Sequence, residues 1–171
     1  MFSAAAWADK YDGAVHNVPI RGVALAMNEP VGVVGVVCSN SQPLLGLITL
    51  IAPAVAMGNS CVVVPSETYP LMATDLYQVL ETSDLPGGVI NIVTGSHETL
   101  TKTLAEHDDI EAVWYFGDAP LSGGVERAAA HTIKRTWCNH GRAYDWSAVR
   151  CEEVLRRAVE VKNIWVPYGE G

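Results

Sequence analysis

The sequence predicts a doubly wound α/β domain with a mostly parallel sheet and an extended N-terminal β arm. Three observations predict it. From Pro30 onward, β-capable apolar runs alternate with stretches of helical period. The first of these runs, Val31–Cys38, is continuously apolar, as a strand covered on both faces should be. Turn residues such as Gly58-Asn59 and Pro86-Gly87-Gly88 mark the boundaries. Strands separated by helical crossovers pair in parallel, with right-handed connections. At 171 residues, 49% of them hydrophobic and 18% charged, the chain has material for one core.

Residues 1–30 stand apart from residues 31–171. Phe2–Lys10 reads as the tail of a helix, and the opening Met1-Phe2-Ser3 runs straight into it, as an excerpt of a longer protein would. Residues 16–29 (HNVPIRGVALAMNE) read as an extended arm with weak alternation at Val23, Leu25 and Met27. A lone ribbon is marginal in water, so this arm either leans on a partner or folds back as an edge hairpin.

Beyond it, Val31–Cys38 is the first strand and Pro43–Met57 a helix. Cys61–Val64 is the next strand, ended by Pro65. Tyr69–Thr82 places Leu71, Met72, Leu76, Val79 and Leu80 on one helical face. Val89–Val93 is a strand, and Ser96 caps a short helix running to Ala105, with Leu100 and Leu104 inward. Glu111–Phe116 and Ile133–Cys138 are strands flanking a helix at Leu121–Ala130. Residues 139–147 lack periodicity and read as loop. A helix at Glu152–Val159 and a short strand at Asn163–Pro167 close the chain.

Composition excludes several classes. The net charge of -8, without a Lys/Arg run, argues against a nucleic-acid partner. The most lipid-like stretch, Leu44–Met57, falls short of the about 20 residues a membrane helix needs and is interrupted by Gly46 and Pro53, so it is a core helix and no membrane partner is expected. Cys38, Cys61, Cys138 and Cys151 form no CxxC pair, which fits a reduced, cytoplasmic chain.

In an open α/β sheet the ligand site lies beyond the carboxyl ends of the strands, here residues 39–43, 65–67, 94–96, 117–121 and 138–143. Neither G-x-G-x-x-G after the first strand nor a P-loop is present. Instead, EPVGVVG (29–35), PAVAMGNSCVVVPSE (53–67), Pro70-Leu71, LPGGVINIVTG (85–95) and Phe116-Gly117 follow in order, flanked by AWADK (6–10) and IWV (164–166). This pattern resembles the NAD-binding half of the aldehyde dehydrogenase superfamily over nearly the whole chain. It is most similar to the truncated, C-terminal non-catalytic module of family 16 aldehyde dehydrogenases. The resemblance implies a Rossmann-like domain and an arm belonging to an oligomerisation region.

The departures from the family pattern bear on function. The family's proline, tryptophan and oxyanion-holding asparagine fall on Ser39, Asn40 and Ser41. Ser41 is thus a degenerate catalytic position, and losing such a donor typically costs about 10²–10³ in rate. The ribose-holding lysine falls on Val64. Glu67 remains where ribose hydroxyls would bond, or serves only as a carboxylate at a helix start. Gly95 and Gly117 remain as candidate cofactor-binding positions. The pyrophosphate-facing serine falls on Asp118, a good N-cap but an anion that would repel phosphate by roughly 1 to 4 kcal/mol, depending on effective dielectric. The general-base motif falls on Cys138-Asn139-His140-Gly141, and the Asn139 amide cannot take a proton. No segment resembles the nucleophile motif.

Cys138 is the one substitute thiol to weigh. Lys134, Arg135 and Arg142 around it would lower its pKa, whereas a strand-end cysteine beside a polar loop would be inert. His131, Cys138 and His140 lack a recognised zinc spacing, so no metal is expected. His16, His97 and His107 read as exposed surface residues. These features lead to a non-catalytic, pseudoenzyme module for assembly, partnered with a catalytic aldehyde dehydrogenase module or forming a homo-oligomer through residues 15–29, with no cofactor expected. The alternatives are an NAD-binding domain contributing to aldehyde oxidation and, last, a free-standing dehydrogenase using Cys138.

Overall fold

The computed structural model describes residues 1–168. The chain opens with α1 (Phe2–Trp7), β1 (Ala14–His16) and β2 (Gly22–Pro30). The βα rhythm then unfolds as expected: β3 (Val33–Val37), α2 (Pro43–Ala56), β4 (Ser60–Val64), α3 (Leu71–Glu81), β5 (Ile90–Ile92), α4 (His97–Glu106), β6 (Ala112–Tyr115), α5 (Ala119–Ala129) and β7 (Arg135–Cys138). α6 (Cys151–Arg157) and β8 (Val159–Pro167) complete it. β3 to β7 form one parallel sheet in the order β5–β4–β3–β6–β7. The chain builds outward from β3 to β5, then crosses back to lay β6 on the other side of β3. The direction of winding therefore reverses between β3 and β6, which opens a crevice at their carboxyl ends.

Both faces of this sheet are covered, which is why the β3 segment is continuously apolar. On one face Val34, Val36 and Cys38 pack with Leu47, Leu50 and Ile51 of α2 and with Trp114, Phe116 and Trp137. On the other, Val37, Val64, Val113 and Tyr115 pack with Leu104 and Ala105 of α4 and Val125 of α5. α5 starts two residues before the apolar period does, because Pro120 sits in its first turn, where a missing N–H costs nothing.

The arm folds on the chain's own last strand. β2 lies between β1 and β8 in an antiparallel sheet, with Ala14 opposite Ala26 and Gly22 opposite Pro167. β8 is nine residues long, not the short strand expected over 163–167, and α6 stops before Val159. Glu160 and Lys162 hid its start: most of β8 is exposed, so charges alternate with apolar residues without a buried face to discipline them.

Candidate functional site

Each strand tip around the crevice carries groups already committed to one another. Beyond β3, the Asn40 side-chain oxygen accepts from Ser66 Oγ at 2.7 Å and from the Thr68 N–H at 3.3 Å, so it ties the β3 and β4 tips together. Ser41 is exposed and spends its N–H on Ser39 Oγ at 3.0 Å. Val64 is buried in the core layer beneath α4 and α5. Glu67 accepts the His97 N–H, the first of α4, at 3.1 Å. Ser96 holds the N-cap position but makes no side-chain cap bond, so the carboxylate from the neighbouring loop does the capping.

His97 corrects the sequence reading. It is 7% exposed, with Nε2 2.7 Å from Pro65 O, and it pins the β4 tip to the start of α4. Its neighbours in sequence are polar, so nothing local revealed that the ring turns inward.

At the β6 tip, Gly117 is required. A Cβ there would collide with Tyr115 Oη, which donates to Asp118 O at 3.2 Å. Burial pushes this phenol up to about 12. Asp118 is the N-cap of α5, without a side-chain cap bond. Pro120 offers no N–H, and Gly141 lies close to the start of α5, where a Cβ built on it would stand 2.8 Å from Ala119 Cβ. A Cβ on Gly95 would stand 3.1 Å from Leu100 Cδ1.

These positions do not fit a pyrophosphate. Such a group docks on unspent N–H donors at a helix start. Here α5 presents a proline and an exposed carboxylate, and the first α4 amide is taken by Glu67.

The crevice is further filled from residues 139–147, which sequence reasoning left as loop. Asn139 closes a tight turn, donating to Arg142 O at 3.0 Å and accepting from the Gly141 N–H at 3.3 Å. Tyr144 and Trp146 then fold inward onto Phe116, with ring centroids 5.2 and 4.8 Å away, and Trp137 completes the stack at 4.9 Å. Trp146 is 1% exposed and lies against the first turns of α2, where a Cβ on Gly46 would meet its Cε2 at 2.9 Å. Tyr144 is tied down through its hydroxyl, which donates to Glu153 Oε1 at 3.0 Å. Two aromatics in an unperiodic segment beside a glycine-bearing helix were the available signal.

Cys138 is not activated. Desolvation, then the nearby Glu126, push its thiol up to about 11. Two of the three cations expected to help are used elsewhere: Lys134 Nζ donates to His107 O, and Arg135 Nη1 to Val159 O at 2.7 Å. His140 turns to Glu126, 3.2 Å away, and among the described residues no three His, Cys, Asp or Glu side chains gather as a metal set. At pH 8, alkylation of Cys138 should run about 100-fold slower than that of an ordinary thiol with a pKa two units lower, rising only as pH approaches 11. Mass-resolved iodoacetamide kinetics check this, and fast labelling at neutral pH would overturn it.

A five-stranded parallel sheet with a reversal between β3 and β6, joined to an antiparallel arm, is the geometry the sequence motifs implied. Residues 1–143 match the aldehyde dehydrogenase family. The chain belongs to that family. An aldehyde dehydrogenase of Agaricus bisporus is 36% identical over 126 residues, covering 74% of this chain and 25% of that protein. Human aldehyde dehydrogenase 1A1 is 33% identical over 170 residues, covering 98% and 33%. Among solved structures, betaine aldehyde dehydrogenase of Staphylococcus aureus, determined with NAD+, superposes with TM-score 0.75 at 29% identity, over 79% of this chain and 27% of that one. An indole-3-acetaldehyde dehydrogenase without ligand gives 0.75 at 32% identity, over 81% and 34%. The chain thus spans from 25% to 34% of the length of these four proteins. Among the described residues no helix is long and apolar enough to cross a membrane.

Proposed function

We propose that this chain is a non-catalytic aldehyde dehydrogenase module of the family 16 C-terminal type, acting in assembly within the cytoplasm. In this reading residues 1–30 supply an oligomerisation arm to the domain of residues 31–171. Its partner is a catalytic aldehyde dehydrogenase module or a further copy of the chain, engaged through residues 15–29. The observation that carries the reading is the filled crevice. Phe116, Tyr144 and Trp146 occupy it from within, and the family resemblance sets an amide, Asn139, in the place of the base. General-base catalysis needs a group that can accept a proton, and thiohemiacetal chemistry needs an available thiolate. Cys138, held as a thiol, supplies none.

Calorimetric titration with NAD and NADP tests this. No saturable heat at micromolar protein is expected, together with no oxidation of a generic aldehyde. Micromolar binding would refute the reading of the strand tips.

A second reading, an NAD-binding domain contributing to aldehyde oxidation by a linked module, draws on one feature. Between α4 and α5 lies an open cleft of about 290 Å³, walled by Leu121, Val125 and Ala105. The Thr101 hydroxyl borders it, buried and without a partner. An unpaired buried hydroxyl is costly and is satisfied by a ligand or water. The same titration, repeated on Thr101→Val, separates the readings, because binding through this cleft would weaken in the variant.

A further inference from the structure

The sequence contains a single Asp-Gly step, Asp12-Gly13, and no Asn-Gly. It lies in the link between α1 and β1, and both of its residues are exposed. The link is pinned at each end. Upstream, the Tyr11 N–H donates to Trp7 O at 3.1 Å, and the two rings meet edge-on with centroids 6.4 Å apart. Downstream, Ala14 pairs with Ala26 of β2. Between these points Asn28 grips the main chain, its Nδ2 donating to Asp12 O at 2.9 Å and to Tyr11 O at 3.4 Å. Two groups of the step are left over. Among the described residues, neither the Asp12 carboxylate nor the Gly13 N–H has a hydrogen-bond partner. They are one residue apart, the spacing at which a main-chain nitrogen reaches a side-chain carboxyl through a five-membered ring. Glycine has no Cβ to obstruct that approach. The fold also demands glycine here, because a Cβ at Gly13 would collide with Ala26 O.

We propose that Asp12-Gly13 is a site of spontaneous main-chain isomerisation, and that the isomer releases β1 from β2. The Gly13 nitrogen attacks Asp12 Cγ and a new C–N bond forms. The nitrogen's proton and the carboxyl's hydroxyl leave together as water, which gives a succinimide. Water then reopens the ring at one of its two carbonyls. Breaking the new bond restores aspartate. Breaking the original peptide bond leaves Gly13 joined to Cγ, an isoaspartate whose former main-chain carbonyl has become a free carboxylate. One water departs and one enters, so no other reactant is needed.

The isomer does not fit the link. Its main chain is longer by one C–C bond, about 1.5 Å. The carbonyl that Asn28 gripped now hangs from the chain instead of running along it. The extra length has no room beside Gly13, which already lies against Ala26 O, and Tyr11 is held to the end of α1. β2 is fixed by β8 along nine residues, whereas β1 is fixed by β2 along three, Ala14, Val15 and His16. So short a ladder is the part that gives way. The change needs no partner and lies in the arm, so it goes beyond the assembly reading.

Prolonged incubation of the folded chain near neutral pH, in water enriched in heavy oxygen, tests this by peptide mapping. The peptide that holds Asp12 should gain heavy oxygen and split into two chromatographic peaks of the same composition. The new peak should accept a methyl group from an isoaspartyl methyltransferase. Asp12→Glu keeps the exposed charge but would need a six-membered ring, and it should abolish both signals. In the isolated isomer, the amides of Ala14–His16 should exchange about tenfold faster or more, while β2 and β8 keep their protection. Three results would each overturn the proposal. One is a folded chain that takes up no heavy oxygen while an excised peptide of residues 8–16 isomerises. Another is equal uptake in Asp12→Glu. The third is an isomer whose β1 amides exchange as in the parent.

Discussion

Replacing Trp146 with alanine is expected to lower the unfolding free energy by about 3 to 5 kcal/mol, the usual cost of emptying a tryptophan-sized core site. The indole is 1% exposed and meets Phe116 and Tyr144 at ring centroids of 4.8 and 4.9 Å. Its seat against α2 makes a sharper test possible. Alanine for glycine inside a helix ordinarily adds about 0.5 to 1 kcal/mol. At Gly46 the added methyl would sit 2.9 Å from Trp146 Cε2 and 3.0 Å from its Nε1, so Gly46→Ala should destabilise the parent. Once Trp146 is alanine, the same substitution should regain its ordinary benefit. The sign of the Gly46→Ala effect thus reverses between backgrounds, a coupling that denaturant melts of the four proteins read directly. Additive effects would mean that the indole does not close the crevice, and the non-catalytic reading would lose its main support.

The main sheet was legible because its constraint is two-sided burial. A segment such as Val31–Cys38 must be apolar at every position, and Gly58 and Gly88 must turn the chain at positive φ, so strands and breaks stand out. The family motifs come from the same segments. What the sequence concealed was set by partners distant in the chain. His97 turns inward to reach Pro65, and Glu67 caps a helix that starts thirty residues later. Glu67, Gly95 and Gly117 do border the strand tips, but their surroundings bind one another. β8 was cut short because a strand with little buried face has no period to read. For Cys138 the neighbours in sequence left an activated and an inert thiol both open, and the structure supports the inert one. Lys134 and Arg135 point to other carbonyls, and the group that counts in space, Glu126, comes from α5.

Asn59 shows how one such distant bond can govern the whole chain, and Asn59→Asp should be among the most damaging conservative changes available. The amide is 1% exposed and fully satisfied. Oδ1 accepts the Gly32 N–H at 2.9 Å, and Nδ2 donates to Ala54 O and Ala158 O, both at 2.8 Å. One side chain thereby joins the end of α2, the entry to β3 and the junction between α6 and β8. It is one tie between the arm sheet and the parallel sheet, beside Arg135 of β7, which donates to Val159 O. An aspartate of the same shape keeps the acceptor but loses both donors, leaving two buried carbonyls facing a buried charge. The expected loss is about 3 to 5 kcal/mol. The penalty has a definite pH sign. Burial raises the pKa of an unpaired carboxylate above its unfolded value, so the variant binds a proton on folding, and its deficit should shrink as pH falls through the folded pKa. A protonated carboxyl can also restore one donor. Hydrogen exchange should show β2 and β8 losing protection before β3, β4 and β6, since of the three bonds of Asn59 the one to Ala158 reaches the arm. A variant melting within about 1 kcal/mol of the parent at neutral pH would show that apolar packing and the Arg135 bond to Val159 hold the two sheets together without Asn59.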